Sequence, residues 1–243
     1  MTVASGEGSS AEGGLARIPT GIPGLDGMIQ GGLVKNTVTI VKGGPGSGKS
    51  IFCMQFLVGG IQNWGEPGIY LSFEESEERI LRDMEGFPWP LKRLIEEGKL
   101  HILHCTPEQV NQVLVTGGGT IRDLIDKTRA KRIVIDSLSA FVLLFDDELE
   151  KRKAASSFFE AIRRWDCTAL VTVESDPETE GASGLPLEFE ADAIIILYNQ
   201  RRETVRERSL EILKMRGTNH TNRILPLKIS SEGIIVYPKE SVF

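Results

Sequence analysis

Residues 37–50 read TVTIVKGGPGSGKS, and this stretch indicates the fold more clearly than any other part of the chain. The apolar, β-branched run at 37–41 predicts a buried strand. The eight residues from Gly43 to Ser50 match the pattern G-x-x-x-x-G-K-[S/T] of a phosphate-binding loop. After Ser50, apolar residues recur at spacings of three and four, which predicts a helix. A strand, a glycine-rich loop and a helix in this order indicate a nucleoside triphosphate site.

The glycine-rich loop has a direct chemical use. Glycines let the backbone turn tightly enough to point successive N–H groups at phosphate oxygens, and the following helix N-terminus adds positive potential. We expect Lys49 to reach the β- and γ-phosphates and the Ser50 hydroxyl to bind Mg²⁺. The alternative is a glycine-rich turn without a ligand. The predicted nucleotide-binding residues of this segment are Gly44, Pro45, Gly46, Ser47, Gly48, Lys49, Ser50 and Ile51.

Two further strand ends carry carboxylates. The run RIVID ends at Asp136, which we predict to hold Mg²⁺ through water. The run IYLSF is followed by Glu74 and Glu75, the candidates for the base that orients and polarises the attacking water. Together with Glu77 and Glu78, these acids could equally begin a helix, where negative side chains favour the dipole. Spacing alone does not decide between the two.

Strands and helices alternate over most of the chain. Strands buried on both faces are predicted at 37–41, 69–73, 100–105, 132–136, 169–173 and 193–197. Helical spacing between them predicts an α/β fold with a mainly parallel central sheet flanked by helices. After residue 203 two strand patterns follow with a Ser-Glu-Gly turn and no helix, so we expect an antiparallel C-terminal extension. Residues 1–14, rich in Gly, Ser, Ala and Glu, are predicted to be a flexible tail before one domain at 15–243.

Composition disfavours several classes of protein. Charged residues make up 26% of the chain, hydrophobic residues 40%, and the net charge is -6, which is typical of a globular protein. The acidic balance disfavours broad attraction to nucleic acid. The N-terminus lacks the pattern of a secretory signal, and no run reaches the ~18 apolar residues needed to span a bilayer. We expect a cytoplasmic protein with no membrane partner and with its three cysteines as reduced thiols.

Taken together, the motifs resemble those of the KaiC-type ATPases of the RecA superfamily. The matching stretches, in order, are PTGIPGLDGMIQGGL, GGPGSGKS, EPGIYLSFEE, RLIEEGKLHIL, RIVIDSLS, FEADAIIIL and LEILKMRGTNH. The FEE doublet combined with KMRGTNH is far more specific than a phosphate loop, and RadA-type recombinases share only the entry and the loop. The resemblance covers everything beyond the tail. It implies a RecA-like P-loop NTPase fold, with ATP as substrate and Mg²⁺ as cofactor.

The resemblance also implies roles for particular residues. In KaiC-like proteins the first Glu of the FEE motif is the base and its neighbour assists, which implies these roles for Glu74 and Glu75. The family places ATP between adjacent subunits of a ring, where the Lys and Arg of K-x-R-G reach the γ-phosphate of the neighbour's nucleotide. Here these are Lys214 and Arg216, so activity would depend on self-assembly, in a hexamer by resemblance. The nucleotide-contacting residues of this segment would be Lys214, Met215, Arg216, Thr218 and His220.

One departure limits the resemblance, and one of the implied assignments has an alternative. Two-domain clock proteins phosphorylate a neighbouring Ser and Thr, whereas the matching stretch here reads Leu187, Glu188, Phe189, Glu190, so autokinase activity is not expected. The alternative for His220 is an ordinary surface-loop histidine.

The leading hypothesis is a Mg²⁺-dependent ATPase ring that couples nucleotide state to an unidentified protein partner. One alternative is a DNA-associated ATPase of the RadA type, which would need basic, flexible loops facing a channel. The arginines of residues 201–208 alternate with glutamates, a pattern typical of a solvated hairpin or a subunit contact. Another alternative is a scaffold in which ATP holds the ring together and hydrolysis is incidental.

Overall fold

A computed structural model describes residues 14–116, 119–174 and 187–240, so most of the predicted tail lies outside the described residues. The strands in chain order are β1 (Arg17–Ile18), β2 (Leu33–Val34), β3 (Val38–Gly43), β4 (Gly68–Ser72), β5 (Leu100–His104), β6 (Arg132–Asp136), β7 (Thr168–Glu174), β8 (Ala193–Arg202), β9 (Val205–Met215), β10 (Leu225–Ser230) and β11 (Gly233–Val236).

Nine of these strands form one sheet in the order β11-β10-β9-β8-β3-β7-β6-β4-β5. The six strands from β8 to β5 in this order run parallel, and β9, β10 and β11 are antiparallel to their neighbours. The separate hairpin of β1 and β2 precedes the sheet. The predicted fold class, a mainly parallel sheet with an antiparallel C-terminal extension, is confirmed.

Helices cover both faces of the sheet. They are α1 (Lys49–Trp64), α2 (Glu77–Asp83), α3 (Leu91–Glu96), α4 (Pro107–Thr116), α5 (Thr120–Thr128), α6 (Leu138–Val142), α7 (Glu148–Arg164) and α8 (Leu187–Glu190), with a 3-10 turn at Asp26–Ile29. Asp147 caps α7, because its side chain accepts from the N–H groups of Leu149 and Glu150. Within the described ranges, no helix combines the length and the apolar character needed to cross a membrane.

The core has two halves, one on each side of the sheet. Val134 of β6 belongs to the half that contains Phe52 and Phe56 of α1. Ile133 and Ile135, on the opposite face of the same strand, belong to the half that contains Phe158 of α7. Successive strand residues point to opposite faces, and here both faces are covered by helices. This double burial explains why the central strands are apolar at almost every position.

The strand at 100–105 departs from the prediction of double burial. In β5, Leu100 and Ile102 are buried, whereas His101 and Leu103 are half-buried and His104 is exposed. The reason is its position, because β5 lies at the edge of the sheet and pairs only with β4. The face of His101 and Leu103 is only partly covered, and Leu103 packs at the margin of the second half of the core.

One charged side chain is fully buried at the start of β6. Arg132 forms a 2.7 Å ion pair with Glu66 and donates to the Phe56 carbonyl oxygen at 3.0 Å. Its guanidinium carbon also lies 4.5 Å from the centroid of the Phe56 ring. Gly60 of α1 leaves room for this group, since a Cβ at residue 60 would lie 2.2 Å from Arg132 Nε. The contact sets the distance between α1 and the sheet.

The variant Gly60→Ala is therefore expected to destabilise the fold. Alanine favours a helix more than glycine does, yet the added methyl group must displace a buried, ion-paired guanidinium, which costs about 1–3 kcal/mol. Thermal unfolding followed by circular dichroism measures the effect. Gly86→Ala is the matched control, because a Cβ there meets nothing within 4 Å. A Gly60→Ala protein that unfolds at or above the wild-type temperature would contradict the packing role.

Candidate functional site

The phosphate loop occupies residues 44–48, between the end of β3 and the start of α1. Gly46 and Gly48 have φ angles of +71° and +102°, in the left-handed region that favours glycine. Space is also short, because a Cβ at Gly46 would lie 3.1 Å from Asn199 Nδ2 and one at Gly48 would lie 2.9 Å from Ile229 Cδ1. The fold thus needs glycine at both positions of the motif.

Lys49 and Ser50 are the first two residues of α1. Lys49 Nζ donates to the carbonyl oxygens of Gly43 at 2.9 Å and of Gly44 at 3.3 Å, which keeps the ammonium group against the loop. The first backbone N–H groups of a helix have no partner within the helix, so the loop, the helix end and the lysine together favour an anion. All eight residues predicted from the loop motif lie in this one segment.

Asp136, the last residue of β6, lies beside Ser50. Ser50 Oγ donates to Asp136 Oδ2 at 3.0 Å. Two further hydroxyls donate to the same carboxylate, Tyr70 to Oδ2 and Thr172 to Oδ1. Hydroxyl, carboxylate and water oxygens are the ligands that Mg²⁺ prefers. The residues present therefore fit Mg²⁺, and the assignment of Ser50 and Asp136 as its ligands stays a prediction.

Glu74 lies at the same edge of the sheet as Asp136. Phe73 N donates to the Asp136 carbonyl oxygen at 2.8 Å, so the chain leaves β4 still paired with β6. Ser137 Oγ then donates to Glu74 Oε1 at 3.3 Å. This contact holds the Glu74 carboxylate next to the candidate Mg²⁺ ligand, at a place from which it could polarise a water molecule.

Glu75 has different neighbours. Its N–H donates to Ser72 Oγ at 2.9 Å, and its carboxylate lies 3.1 Å from Arg79 Nε. Burial raises the pKa of Glu75 above its ordinary value, the positive charge of Arg79 lowers it, and nearby carboxylates raise it again. Of the two glutamates, Glu75 is thus the one already engaged by a cation, and Glu74 is the one beside Asp136.

Glu74 and Glu75 both lie before α2, which begins at Glu77. Ser76 caps α2, and its side chain accepts from Arg79 N at 3.4 Å. Glu77 and Glu78 occupy the first turn of α2, where acidic side chains favour the helix dipole. The helix-start explanation therefore accounts for Glu77 and Glu78 but not for Glu74 and Glu75.

Lys214 and Arg216 lie toward the opposite end of the parallel strands, near the start of β8. Lys214 in β9 pairs with Ile194 of β8, and Ile194 pairs with Ile40 of β3. The phosphate loop begins only after Gly43, three residues further along β3. The structure thus brings Lys49, Ser50, Asp136, Glu74 and Glu75 together at one edge and places Lys214 and Arg216 apart from them.

The other residues of the KMRGTNH segment contact parts of the chain away from the phosphate loop. Met215 is buried, Thr218 Oγ1 accepts from Arg17 Nη1 at 3.1 Å, and His220 Nδ1 lies 2.8 Å from the Thr221 carbonyl oxygen. Arg17 also donates to carbonyl oxygens of residues 29 and 32. The segment is therefore fastened to the β1–β2 hairpin and not to the phosphate loop of its own chain.

Four residues at the phosphate-loop edge were not predicted from the sequence. Asn199 Nδ2 donates to the Pro45 carbonyl oxygen at 3.2 Å, and Arg208 Nε donates to the Gly46 carbonyl oxygen at 3.1 Å. Tyr70 and Thr172 are the other two, through their bonds to Asp136. A signal existed for Tyr70 and Thr172, each a hydroxyl-bearing residue within a predicted buried run, although neither run shows that the hydroxyl meets Asp136. The others depend on the order of the strands.

The parallel sheet, the phosphate loop after β3 and the carboxylate that ends β6 define a RecA-like P-loop nucleotide-binding protein. Residues 18–241 match the model of a protein family described as KaiC ATPase. The chain belongs to this KaiC ATPase family. The resemblance seen in its motifs is thereby confirmed.

Relatives with known names agree with this assignment. The UPF0273 protein of Methanocaldococcus jannaschii is 35% identical over 237 residues, which cover 92% of this chain and 97% of that protein. The circadian clock oscillator protein KaiC of Synechococcus elongatus is 34% identical over 232 residues, covering 92% of this chain and 44% of that protein. The chain thus spans about half the length of the clock proteins that it matches.

A solved structure gives the same result for the fold. The crystal structure of a KaiC-like protein from the archaeon Pyrococcus horikoshii superposes with a TM-score of 0.81 at 30% sequence identity. The match covers 92% of this chain and 100% of that one. The RecA-like fold implied by the motifs is therefore confirmed.

The Arg79→Gln variant is expected to raise the pKa of Glu75 further, because it removes the one cation that favours the ionised carboxylate. Carbon-13 NMR titration of labelled glutamate carboxyls, assigned with Glu75→Gln, measures the shift. Arg93→Gln is the matched control, since Arg93 of α3 forms an i,i+4 pair with Glu97, the residue that follows this helix. An unchanged or lowered pKa of Glu75 in Arg79→Gln would contradict the pairing.

Proposed function

We propose that this protein is a Mg²⁺-dependent ATPase whose sites are completed between the subunits of a ring, with Lys214 and Arg216 serving the nucleotide of a neighbour. The observation that carries the proposal is the position of these two cations in the sheet. Family membership supports nucleotide binding and ATPase chemistry. The ring, its hexameric number, the bound Mg²⁺ and a protein partner belong to the proposal.

Sheet geometry separates the two groups within one chain. Lys214 is level with Ile40, which lies three residues before the end of β3, and two strand spacings away across β8. These offsets correspond to roughly 10 Å along the strands and roughly 10 Å across the sheet. A sheet covered on both faces does not bend to close such a gap. The cations could therefore act on the phosphates of another copy more readily than on their own.

Short-range contacts hold both cations at their edge. Lys214 Nζ donates to the carbonyl oxygens of Glu188, Phe189 and Ala191, the last at 2.7 Å. Arg216 Nη2 donates to the Phe189 carbonyl oxygen at 2.9 Å, while 56% of its side chain stays exposed. Partial burial, together with the Arg216 charge, lowers the pKa of Lys214. Carbonyl oxygens of α8 and Ala191 thus hold the two cations side by side, where they could meet the phosphates of a neighbouring subunit.

The proposed chemistry assigns each residue one task. Loop N–H groups and Lys49 bind the β- and γ-phosphates, and Ser50 with Asp136 holds Mg²⁺, which supplies positive charge to the terminal phosphates. Glu74, with Glu75 assisting, orients and polarises the attacking water. Arg216 from the neighbour stabilises the charge that develops on the transferred phosphoryl group, as arginine fingers do. Thr218 and His220 would contact the ribose and base from the same neighbour.

The wider setting follows from these parts. Because the site spans two subunits, a change of nucleotide would alter the subunit contact, and a protein partner that binds the ring could read this change. A cytoplasmic location agrees with the three free cysteines, of which Cys53 and Cys167 are buried. Arg206 and Arg208 of the β8–β9 hairpin donate to carbonyl oxygens of Asn199 and Gly46, which favours a structural task for them over DNA binding.

Complementation between two inactive variants tests the proposal. We expect Arg216→Ala to lower turnover by roughly 10³-fold. The double variant Glu74→Gln/Glu75→Gln should lower it by at least ~10²-fold. If the two are assembled together, about one quarter of the interfaces combine an intact loop edge with an intact arginine, so turnover should return to about a quarter of the wild-type rate. Steady-state ATP hydrolysis with the assembled mass measured in parallel provides the readout.

The control mixture is Arg216→Ala with Lys49→Ala/Arg216→Ala, in which every interface lacks the arginine and no recovery is expected. A dilute monomer that hydrolyses ATP at the wild-type rate, or a fully active Arg216→Ala, would show that the site is complete within one chain. A ring whose cellular activity survives Glu74→Gln/Glu75→Gln would instead favour the scaffold.

A further inference from the structure

We propose that Tyr70 is a positioning residue that directs the Asp136 carboxylate toward Mg²⁺, an inference that rests on the proposed nucleotide and Mg²⁺ site. Tyr70 is buried in β4, and its hydroxyl donates to Asp136 Oδ2. It touches neither phosphate nor metal in the proposed mechanism. Its effect passes through the Asp136 carboxylate and the neighbouring Ser50 hydroxyl.

The acceptor directions of Asp136 give the inference its content. A carboxylate offers about four lone-pair directions, two on each oxygen. Ser50 and Tyr70 both donate to Oδ2, and Thr172 donates to Oδ1. One direction, on Oδ1, is left for a water molecule bound to Mg²⁺. The three hydroxyls thus determine which oxygen of Asp136 would keep a free acceptor direction for such a water molecule.

The frame around Tyr70 is rigid. Tyr70 pairs with Val134 in the parallel register of β4 and β6, two residues before Asp136, and its ring is packed in the core beneath α1. A carboxylate group only accepts hydrogen bonds, so the Tyr70 hydroxyl is the donor in its bond with Asp136. Packing of the ring in the core holds the hydroxyl beside Asp136 and Ser50.

Removal of the hydroxyl should loosen the metal site without opening the core. In Tyr70→Phe the ring still fills its place, while Asp136 Oδ2 regains an acceptor direction. The carboxylate can then rotate or accept a different water, so Mg²⁺ meets several arrangements instead of one. Changes to such outer partners of a metal ligand typically weaken metal binding by about 10- to 100-fold.

The test compares nucleotide affinity with and without the metal. The dissociation constant of a fluorescent ADP analogue is measured in Mg²⁺ and again in EDTA. The constant in EDTA divided by the constant in Mg²⁺ gives the contribution of Mg²⁺ to affinity. In Tyr70→Phe we expect this ratio to fall by about 10-fold while the constant in EDTA stays within about twofold of wild type. Thr172→Val should also lower this ratio, because it too removes a hydroxyl that donates to Asp136.

Tyr198→Phe is the matched control, since it removes another bond from a tyrosine hydroxyl to a carboxylate, that of Glu211, and should leave the ratio unchanged. A wild-type ratio in Tyr70→Phe would overturn the inference, as would an equal loss of affinity in Mg²⁺ and in EDTA, which would mark a structural role. If wild-type protein shows no Mg²⁺-dependent nucleotide binding, the proposed function itself fails, and the inference with it.

Discussion

The hydrogen bond between Ser50 and Asp136 is the contact on which the whole site depends. It joins the N-terminus of α1 to the end of β6, although β7 lies between β3 and β6 in the sheet. The contact requires that the parallel strands end at the same edge, and that α1 starts immediately after the loop. When both conditions hold, the phosphate loop, Asp136 and Glu74 lie together without any further adjustment of the backbone.

The same strand register places Lys214 and Arg216 away from the phosphate loop, toward the opposite end of the parallel strands. Lys214 is held there by its place in β9 and by the carbonyl oxygen of Ala191, and Arg216, the residue after β9, donates to the carbonyl oxygen of Phe189 in α8. A chain that binds phosphate at one edge and presents cations at the other suits head-to-tail contacts, which close into a ring when the rotation permits. Catalysis would then require assembly, because each copy would supply what its neighbour lacks.

Local patterns in the sequence predicted a large part of this arrangement. The phosphate loop, the strand that ends at Asp136 and the acidic pair after β4 each consist of an apolar run followed by functional residues, so each could be identified without knowledge of the fold. The antiparallel extension was equally visible, because its turn residues lie between two strand patterns. In these cases a few neighbouring residues determine the structure.

The remaining features depend on strand order, which no single segment contains. Thr172 reaches Asp136 because β7 lies between β3 and β6, and Arg208 reaches the loop because β8 pairs with β3. Double burial of residues 100–105 was a wrong prediction for the same reason, since the pattern does not show that β5 is an edge strand. The roles of Lys214 and Arg216 had no local signal and came only from the family resemblance.

A structure determined with a non-hydrolysable ATP analogue and Mg²⁺ tests the central claim most directly. We expect the γ-phosphate to be bound by Lys49 of one subunit and to lie within hydrogen-bonding distance of the Arg216 guanidinium of the next. A complex in which the γ-phosphate meets no second subunit, while Arg216 stays on the Phe189 carbonyl oxygen of its own chain, would contradict it.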